Sequence, residues 1–453
     1  MRNVSSYPEA KADYLQYFLN KGKIKPFRKE FLSLHNYDQA QFYLSLSEEE
    51  RKKLYHFLSP AEMADLFEEI EEENEETEQY LKEMNKQYAA DMLSKMYTDN
   101  AVDILKQLEV ADQQKYLALM PKEEAGELID LLDYKQSTAG SIMTTEFAFI
   151  FAGQTIKEAM ADIKRQAQEA ETIYYIYVVD AERKLVGVLS LRDLILRSDD
   201  ELIRDIMGER VISVHINEDQ EDVAHTIRDY DLLAVPVIDE ENRLVGIITV
   251  DDIIDVIDEE AASDYSGLAA VDVEERTENP FVAASKRLPW LITLLFLGMG
   301  TSTLISRYES MVSTASILAV FISLITGTAG NAGTQSLAVA VRKLADKDNE
   351  KKNNLKLIFK ELATGLVSGL VTGLVIFLVV GIWQHNFILG FVIGMAMLCA
   401  ITVASLAGSF IPLLMDRLGF DPAVASGPFI TTLSDLTSVF IYFTIASYFL
   451  SFF

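Results

Sequence analysis

The chain has 453 residues, 49% of them hydrophobic, and sets 69 acidic against 40 basic side chains for a net charge of −29. Only 8 of those acids and 11 of those bases lie from Lys286 onward, so residues 1–285 carry a net charge of −32. Such an acidic half excludes nucleic acid and anionic lipid as its partners and favours cations or basic ligands.

Residues 10–135 show amphipathic helical patterning without strand signals, as in Pro60–Phe67 and Asn100–Leu108, and short helices of this kind predict an all-α superhelical domain over 1–135. The run Glu68–Glu78 reads as a solvated face or loop. Asp99 and Asp103 stand four apart on one helix face, where like charges repel unless a cation or partner sits between them. Met1–Glu9 has no apolar core, which argues against a secretory signal, and the single cysteine, Cys399, lies in an apolar run where no intrachain disulfide is available. The soluble half is therefore expected in the cytoplasm.

An internal repeat follows. Val178–Ile195 recurs 59 positions later as Val237–Ile254, each copy reading as strand, polar turn, second strand and helix, with Thr155–Gln168 and Asp219–Tyr230 as the preceding helices. This α/β pattern over 136–258 resembles a tandem pair of CBS domains. That resemblance implies a nucleotide signature, Gly-h-h-Ser/Thr-x-x-Asp (h, hydrophobic), matched by Gly187, Ser190 and Asp193 and again by Gly246, Thr249 and Asp252. The hydroxyl would approach phosphate and the carboxylate the ribose of an adenine nucleotide. A competing reading is that these residues end a strand and cap the next helix.

The densest acidic stretch comes next, from Asp251 to Glu278 with Arg276 as its one base. Asp251, Asp255, Asp258 and Glu259 fall on one helical face, and Ile253, Ile254, Ile257 and Ala261 on another. Oxygen-only ligands suit magnesium or calcium. A connecting (plug) helix over 259–285 would tie this cation-seeking surface to the first apolar run.

Five runs are long and apolar enough to span a bilayer: 288–306, 311–341, 357–383, 386–415 and 423–453. Lys286 and Arg287 precede the first, and Arg342, Lys343, Lys347, Lys351, Lys352, Lys356 and Lys360 fill the second connection, so those ends face the cytoplasm and the C-terminus lies outside. Arg307, beside Glu309, is the one exception. Within the spans, Asp435 is the only acid of the last run, and Asn331 sits in a glycine-rich polar break, Gly327–Gln335. Helix rise puts Asn331 roughly 17 Å from Arg342 and Asp435 roughly 21 Å from Asp421, both near mid-bilayer. Thr431, Asp435, Ser438 and Tyr442 form one predicted polar stripe, and Thr328, Asn331 and Gln335 another. An ionisable group at that depth marks an ion path by default; a buried, protonated structural carboxyl is the alternative.

The five histidines are scattered without metal-ligand spacing and no phosphate loop is present, so no enzyme reading competes. In Leu288-Pro289-Trp290, Gly330-Asn331-Ala332-Gly333-Thr334-Gln335, Asp421-Pro422-Ala423, Gly427-Pro428, Thr431-Thr432 and Asp435, the whole chain resembles the MgtE family of magnesium channels. The resemblance implies a multidomain membrane protein: helical N domain 1–135, CBS pair 136–258, plug helix 259–285 and a five-helix transmembrane domain 286–453. It also implies a homodimer in the cytoplasmic membrane, embedded in lipid, with a central pore where Asp435 binds hydrated magnesium beside Asn331. Intracellular magnesium would bridge acidic surfaces to favour closure, with Asp99, Asp103, Asp251, Asp255, Glu259, Asp264 and Glu62 as sensor residues, and ATP would bind the CBS pair. Departures are Ser438 where a glycine is expected, and Ser323 and Thr328-Ala329-Gly330 before the asparagine; they bear on selectivity. A CBS-regulated carrier or exporter of another cation such as sodium, cobalt or manganese, and a nucleotide-sensing membrane receptor, are the alternatives.

Overall fold

The computed structural model describes residues 9–70, 77–168, 170–271, 273, 279–345, 354–418 and 427–450. Two compact units divide it, Met1–Ile257 and Asp258–Phe453.

The first unit opens with ten short helices: α1 (Glu9–Asn20), α2 (Ile24–Phe31), α3 (Asn36–Leu44), α4 (Glu48–Leu54), α5 (Pro60–Phe67), α6 (Thr77–Glu83), α7 (Lys86–Leu93), α8 (Thr98–Lys106), α9 (Val110–Leu117) and α10 (Lys122–Leu132). Caps punctuate them. Ser47 with Glu50 and Ser59 with Glu62 form capping boxes, and Pro60 takes the first helical position, where its missing N–H leaves no bond unmade. Inside, the Arg51 guanidinium pairs with Glu83 at 2.6 Å and covers the Tyr80 ring, while the Tyr43 and Tyr55 hydroxyls bond at 2.8 Å. The expected α superhelix is present.

Two three-stranded sheets follow, each with one parallel and one antiparallel pairing. The first holds β1 (Phe147–Phe151), β2 (Thr172–Val179) and β3 (Leu185–Ser190), with helices α11 (Ile156–Gln166), α12 (Leu191–Leu196) and α13 (Ile203–Ile206). The second holds β4 (Val214–His215), β5 (Ala234–Ile238) and β6 (Leu244–Thr249), with α14 (Gln220–Asp229). Arg183 and Asn242, equivalent positions of the repeat, both take positive φ in the hairpin turns, and across the pseudo-twofold Leu185 N–H donates to Asn242 O while Leu244 N–H donates to Arg183 O. The lead segments cross over. Thr144, entering the first repeat, bridges Ile247 of the second, and Gly208, entering the second, bridges Val188 of the first. One continuous hydrophobic core joins the helical domain (Leu105, Leu128) to the second repeat (Val235, Ile248, Ile253), so the boundary expected at 135/136 separates sequence patterns but not cores.

The helix leaving the repeat, α15, runs unbroken over Val250–Ala269, so the CBS pair and the connecting segment share one helix instead of meeting at 258/259. Its buried side chains are Ile253 and Val256, whereas Ile254 and Ile257, expected on the apolar face, are exposed.

In the second unit, α16 (Pro280–Arg307) starts eight residues before the predicted span and carries Pro289 within it. The second predicted run is three helices, α17 (Glu309–Thr314), α18 (Ile317–Val320) and α19 (Ile322–Ala345). Then come α20 (Asn354–Trp383), α21 (Phe387–Arg417) and α22 (Gly427–Tyr448). Among the described residues, five segments are long and apolar enough to cross a membrane. Glycines set their spacing: a Cβ on Gly408 would overlap the Gly333 carbonyl of α19, and one on Gly394 would lie 2.6 Å from Gly373 O of α20, so backbones touch where side chains would otherwise hold them apart.

Candidate functional site

Two sets of residues carry chemistry, one in each unit. In the second unit the crossing of α19 and α22 is built on Gly330 against Thr431 and on Gly333 against Ile430 and Ser434. Asn331 follows Gly330 and Asp435 follows Ser434, so both lie beside this crossing on neighbouring helices. Of the expected stripe, Asn331 and Gln335 are exposed on one face of α19 and Thr328 is partly exposed, while Gly333, Ser336 and Leu337 are buried on the other. The hydroxyls nearby are committed to their own helices: Thr328 donates to Leu324 O, Thr334 to Gly330 O, and Thr431 and Thr432 to Pro428 O. Among the described residues no side-chain hydrogen bond or ion pair holds Asn331, Gln335 or the half-buried Asp435. They are polar groups of this crossing without a partner among the described residues.

The stripe predicted on the last helix divides. Thr431 and Asp435 are partly exposed, but Ser438 and Tyr442 are buried, and the Tyr442 hydroxyl donates to Leu318 O at 2.9 Å, pinning the break between α18 and α19. Tyr442 is structural, and the buried Ser438 does not share the face of Asp435. The Asp421-Pro422-Ala423 motif, Lys347, Lys351 and Lys352 lie outside the described residues.

In the first unit, acidic side chains from three elements converge, and among the described residues no salt bridge reaches Asp99, Glu171 or Asp252. Asp99, on the first turn of α8, is 6% exposed. Burial first, then the Asp252 and Glu171 charges, hold its carboxyl well above the usual carboxylate range, against one backbone donor, Asn100 N–H at 2.8 Å. Glu171, ahead of β2, is pushed up to about 8 by burial and then by Asp252, and its Oε2 is buried without a donor. Asp252 is likewise raised by burial, opposed by the Thr249 hydroxyl and N–H, with the Asp251 and Asp255 charges adding to the rise. Glu146 accepts from the Thr98 and Thr144 hydroxyls at 2.9 and 2.7 Å. Glu68, at the rim, accepts Tyr97 N–H and is pushed up to about 7, chiefly by burial. Carboxylates and threonine hydroxyls form an all-oxygen donor set that fits magnesium or calcium. Among the described residues no three acidic side chains stand close enough to hold a metal as they are, so this is a gathering of acids and not a finished cage.

Sequence reasoning named Asp99 here but missed Glu146 and Glu171, and it chose Asp251 where Asp252 turns inward; Asp251 is exposed on α15. Asp103 does not join Asp99, because Lys106 pairs with it at 2.8 Å and also donates to Ser141 O. Glu62 is engaged twice over, as the α5 cap partner of Ser59 and in a two-pronged pair with Arg28 at 2.7 and 2.5 Å. Asp255 and Glu259 lie exposed, and Asp264 half-buried, along α15, while Asp272, Glu274, Glu275 and Glu278 lie outside the described residues.

Each residue of the nucleotide signature has a structural duty. Ser190 with Asp193, and Thr249 with Asp252, form helix caps in which the carboxylate accepts both the hydroxyl and the N–H. A Cβ on Gly246 would lie 2.8 Å from Thr144 O, and one on Gly187 would strike the Met207 side chain, so both glycines admit the crossing lead segments. Asp193 remains exposed and Thr249 is buried, so the first repeat offers the open end.

The profile of MgtE, described as a divalent cation transporter, matches residues 322–445; that of the MgtE intracellular N domain matches 34–137, and the CBS domain matches 139–200 and 203–259. The chain is 68% identical over 435 residues, 96% of either chain, to the magnesium transporter MgtE of Enterococcus faecalis. It is 35% identical to that of Thermus thermophilus, over 95% of this chain and 97% of the relative. Among solved structures it is similar to the soluble part of a magnesium transporter (TM-score 0.55, 59% identity, 56% of this chain and 99% of that one). It is also similar to the cytosolic domain of the Mg2+ channel MgtE in complex with ATP (TM-score 0.51, 36% identity, 54% of this chain and 99% of that one).

Proposed function

Since the chain belongs to the MgtE family of divalent cation transporters, a multi-pass membrane protein with cytoplasmic N-terminal domains, we propose that it passes magnesium along α19 and α22, past Asn331 and Asp435, under control of the acidic cluster in its first unit. The observation that carries this reading is Asp435, the one acid of the last spanning helix, unpaired among the described residues and beside the same helix crossing as the uncommitted amide of Asn331. A fixed charge in weakly screened surroundings attracts a dication that keeps its inner waters. Two such helices make half a wall, which suits a homodimer with the path on its axis, and five spans leave the C-terminus outside.

Regulation follows from the same electrostatics. Asp99, Glu171 and Asp252 resist being ionised together, so a divalent cation among them stabilises the arrangement that buries them, and a ligand with higher affinity for one state shifts the population toward it. Exposed Asp255 and Glu259 and half-buried Asp264 extend that acidic surface along α15. ATP binding at the CBS pair is supported by the ATP complex of the similar cytosolic domain, with Ser190 and Asp193 on the open end.

The test is magnesium uptake by a transport-deficient cell expressing the full chain. Asp435→Ala should abolish uptake while membrane insertion is unchanged, and Asn331→Ala should be milder, since an amide supplies a dipole and not a net charge. Uptake at the parental rate in Asp435→Ala would remove the path assignment.

A further inference from the structure

A second carboxylate lies within the spans, and the ion path just described does not use it. Glu361 is the only acid of α20, sits two turns from its start and is 5% exposed. Its Oε2 accepts the hydroxyl of Ser336 at 3.0 Å, and Ser336, 4% exposed, directly follows Gln335 on α19. No salt bridge reaches Glu361 among the described residues. A buried carboxylate with one neutral donor is unfavourable in a membrane segment unless the interaction has a task. Around it the helices are antiparallel: Ala340, one turn beyond Ser336, and Leu357, one turn before Glu361, join Leu413 of α21 in one small core. Elsewhere α20 packs chiefly along α21, so this end is where it grips α19.

Three residues away on α19, Gly333 meets the backbone of Gly408. That contact of two glycines has no side chain to index the roll of α19; Thr431, Ile430 and Ser434 of α22 bear on it from one side, and the Ser336–Glu361 bond adds an index from α20. A roll of about 30° would swing side-chain ends at 5–6 Å radius by about 3 Å, enough to carry Asn331 and Gln335 off the face they occupy.

We propose that Glu361 is a positioning residue: by accepting the Ser336 hydroxyl it sets the rotation of α19 and so holds Asn331 and Gln335 toward the ion. This rests on the reading of α19 as a wall of the path. It predicts that the hydrogen bond, and not the charge, is what matters, since Glu361 acts through Ser336.

The experiment uses the full chain in proteoliposomes, reading Mg2+ flux per inserted molecule, the ratio of Mg2+ to Co2+ flux, and the melting temperature. Ser336→Ala and Glu361→Ala should each lower Mg2+ flux by about tenfold and relax the Mg2+/Co2+ ratio. The double variant should be no worse than the poorer single one, because both break one bond. Glu361→Gln, which keeps a carbonyl acceptor, should stay within about twofold of the parent. The proposal is overturned if Glu361→Gln is as damaging as Glu361→Ala, if Ser336→Ala keeps parental flux and ratio, or if the two losses add. Should Glu361→Ala fail to insert, Ser336→Ala and Glu361→Gln still decide. Asp435→Ala in parallel tests the path itself: if it abolishes flux while Ser336→Ala leaves flux and ratio unchanged, the path stands and only the role of Glu361 falls.

Discussion

Glu171→Gln should stabilise the cation-free soluble part at neutral pH, an unusual expectation for a buried polar substitution. The carboxyl ordinarily titrates at 4.5 and is pushed up to about 8 here, first by burial and then by Asp252. Between those values the folded state binds a proton that the unfolded chain has released, so stability falls as pH rises from about 4.5 to about 8. Holding that proton at pH 7 costs about 3 kcal/mol, and at pH 5 about 1 kcal/mol. Glutamine keeps the shape and carries no proton to hold, and its amide brings donors to a place where Glu171 Oε2 has none and acids abound. Urea unfolding in chelator should therefore show a variant more stable than the parent by about 3 kcal/mol at pH 7, shrinking to about 1 kcal/mol at pH 5. Millimolar Mg2+ should narrow the gap, because a dication favours the ionised carboxylate that only the parent possesses. A difference that is zero, or that does not change between pH 5 and 7, would refute the reasoning.

Replacing Arg51 with Ala leaves Glu83 buried against Tyr43 and Tyr55 without its cation and should destabilise the helical domain by about 3–5 kcal/mol, seen as an earlier unfolding transition in calorimetry. Gly408→Ala drives a methyl into the Gly333 carbonyl and should abolish a stable membrane fold; a detergent-solubilised variant that melts like the parent would show that α19 and α21 separate readily. Removing magnesium should open the 251–280 connection to protease, and Asp252→Asn should blunt that protection more than Asp251→Asn, since only the former lies in the buried cluster.

Periodic features were legible in the sequence and singular ones were not. The 59-residue repeat gives the two sheets and their caps because it repeats, and the five spans emerge because apolar length is a bulk property. Asn331 and Gln335 fall on one exposed face of α19 because helical period alone decides that. Glu146 and Glu171 are isolated acids at strand edges, and nothing local distinguishes them from solvated ones. Asp251 and its neighbour Asp252 differ by about 100° of helical phase, and pattern reading does not resolve which of them turns inward. The Arg28 partner of Glu62 is not legible either, because it lies 34 positions away. Tyr442 fits the polar stripe by spacing, but its hydroxyl is claimed by a carbonyl of α18, a short helix that no sequence signal announces.

The crossing of the two lead segments in the paired sheets has a kinetic consequence. Thr144 must find Ile247, roughly a hundred positions downstream, before the first repeat is closed, and Gly208 must find Val188 before the second can be. Neither half can be completed as an independent module during synthesis, and a chain released before Ile247 emerges leaves Thr144 without its bridging strand. The pair is thus an interlock that forms late and all at once, and strain applied to either repeat is felt by both.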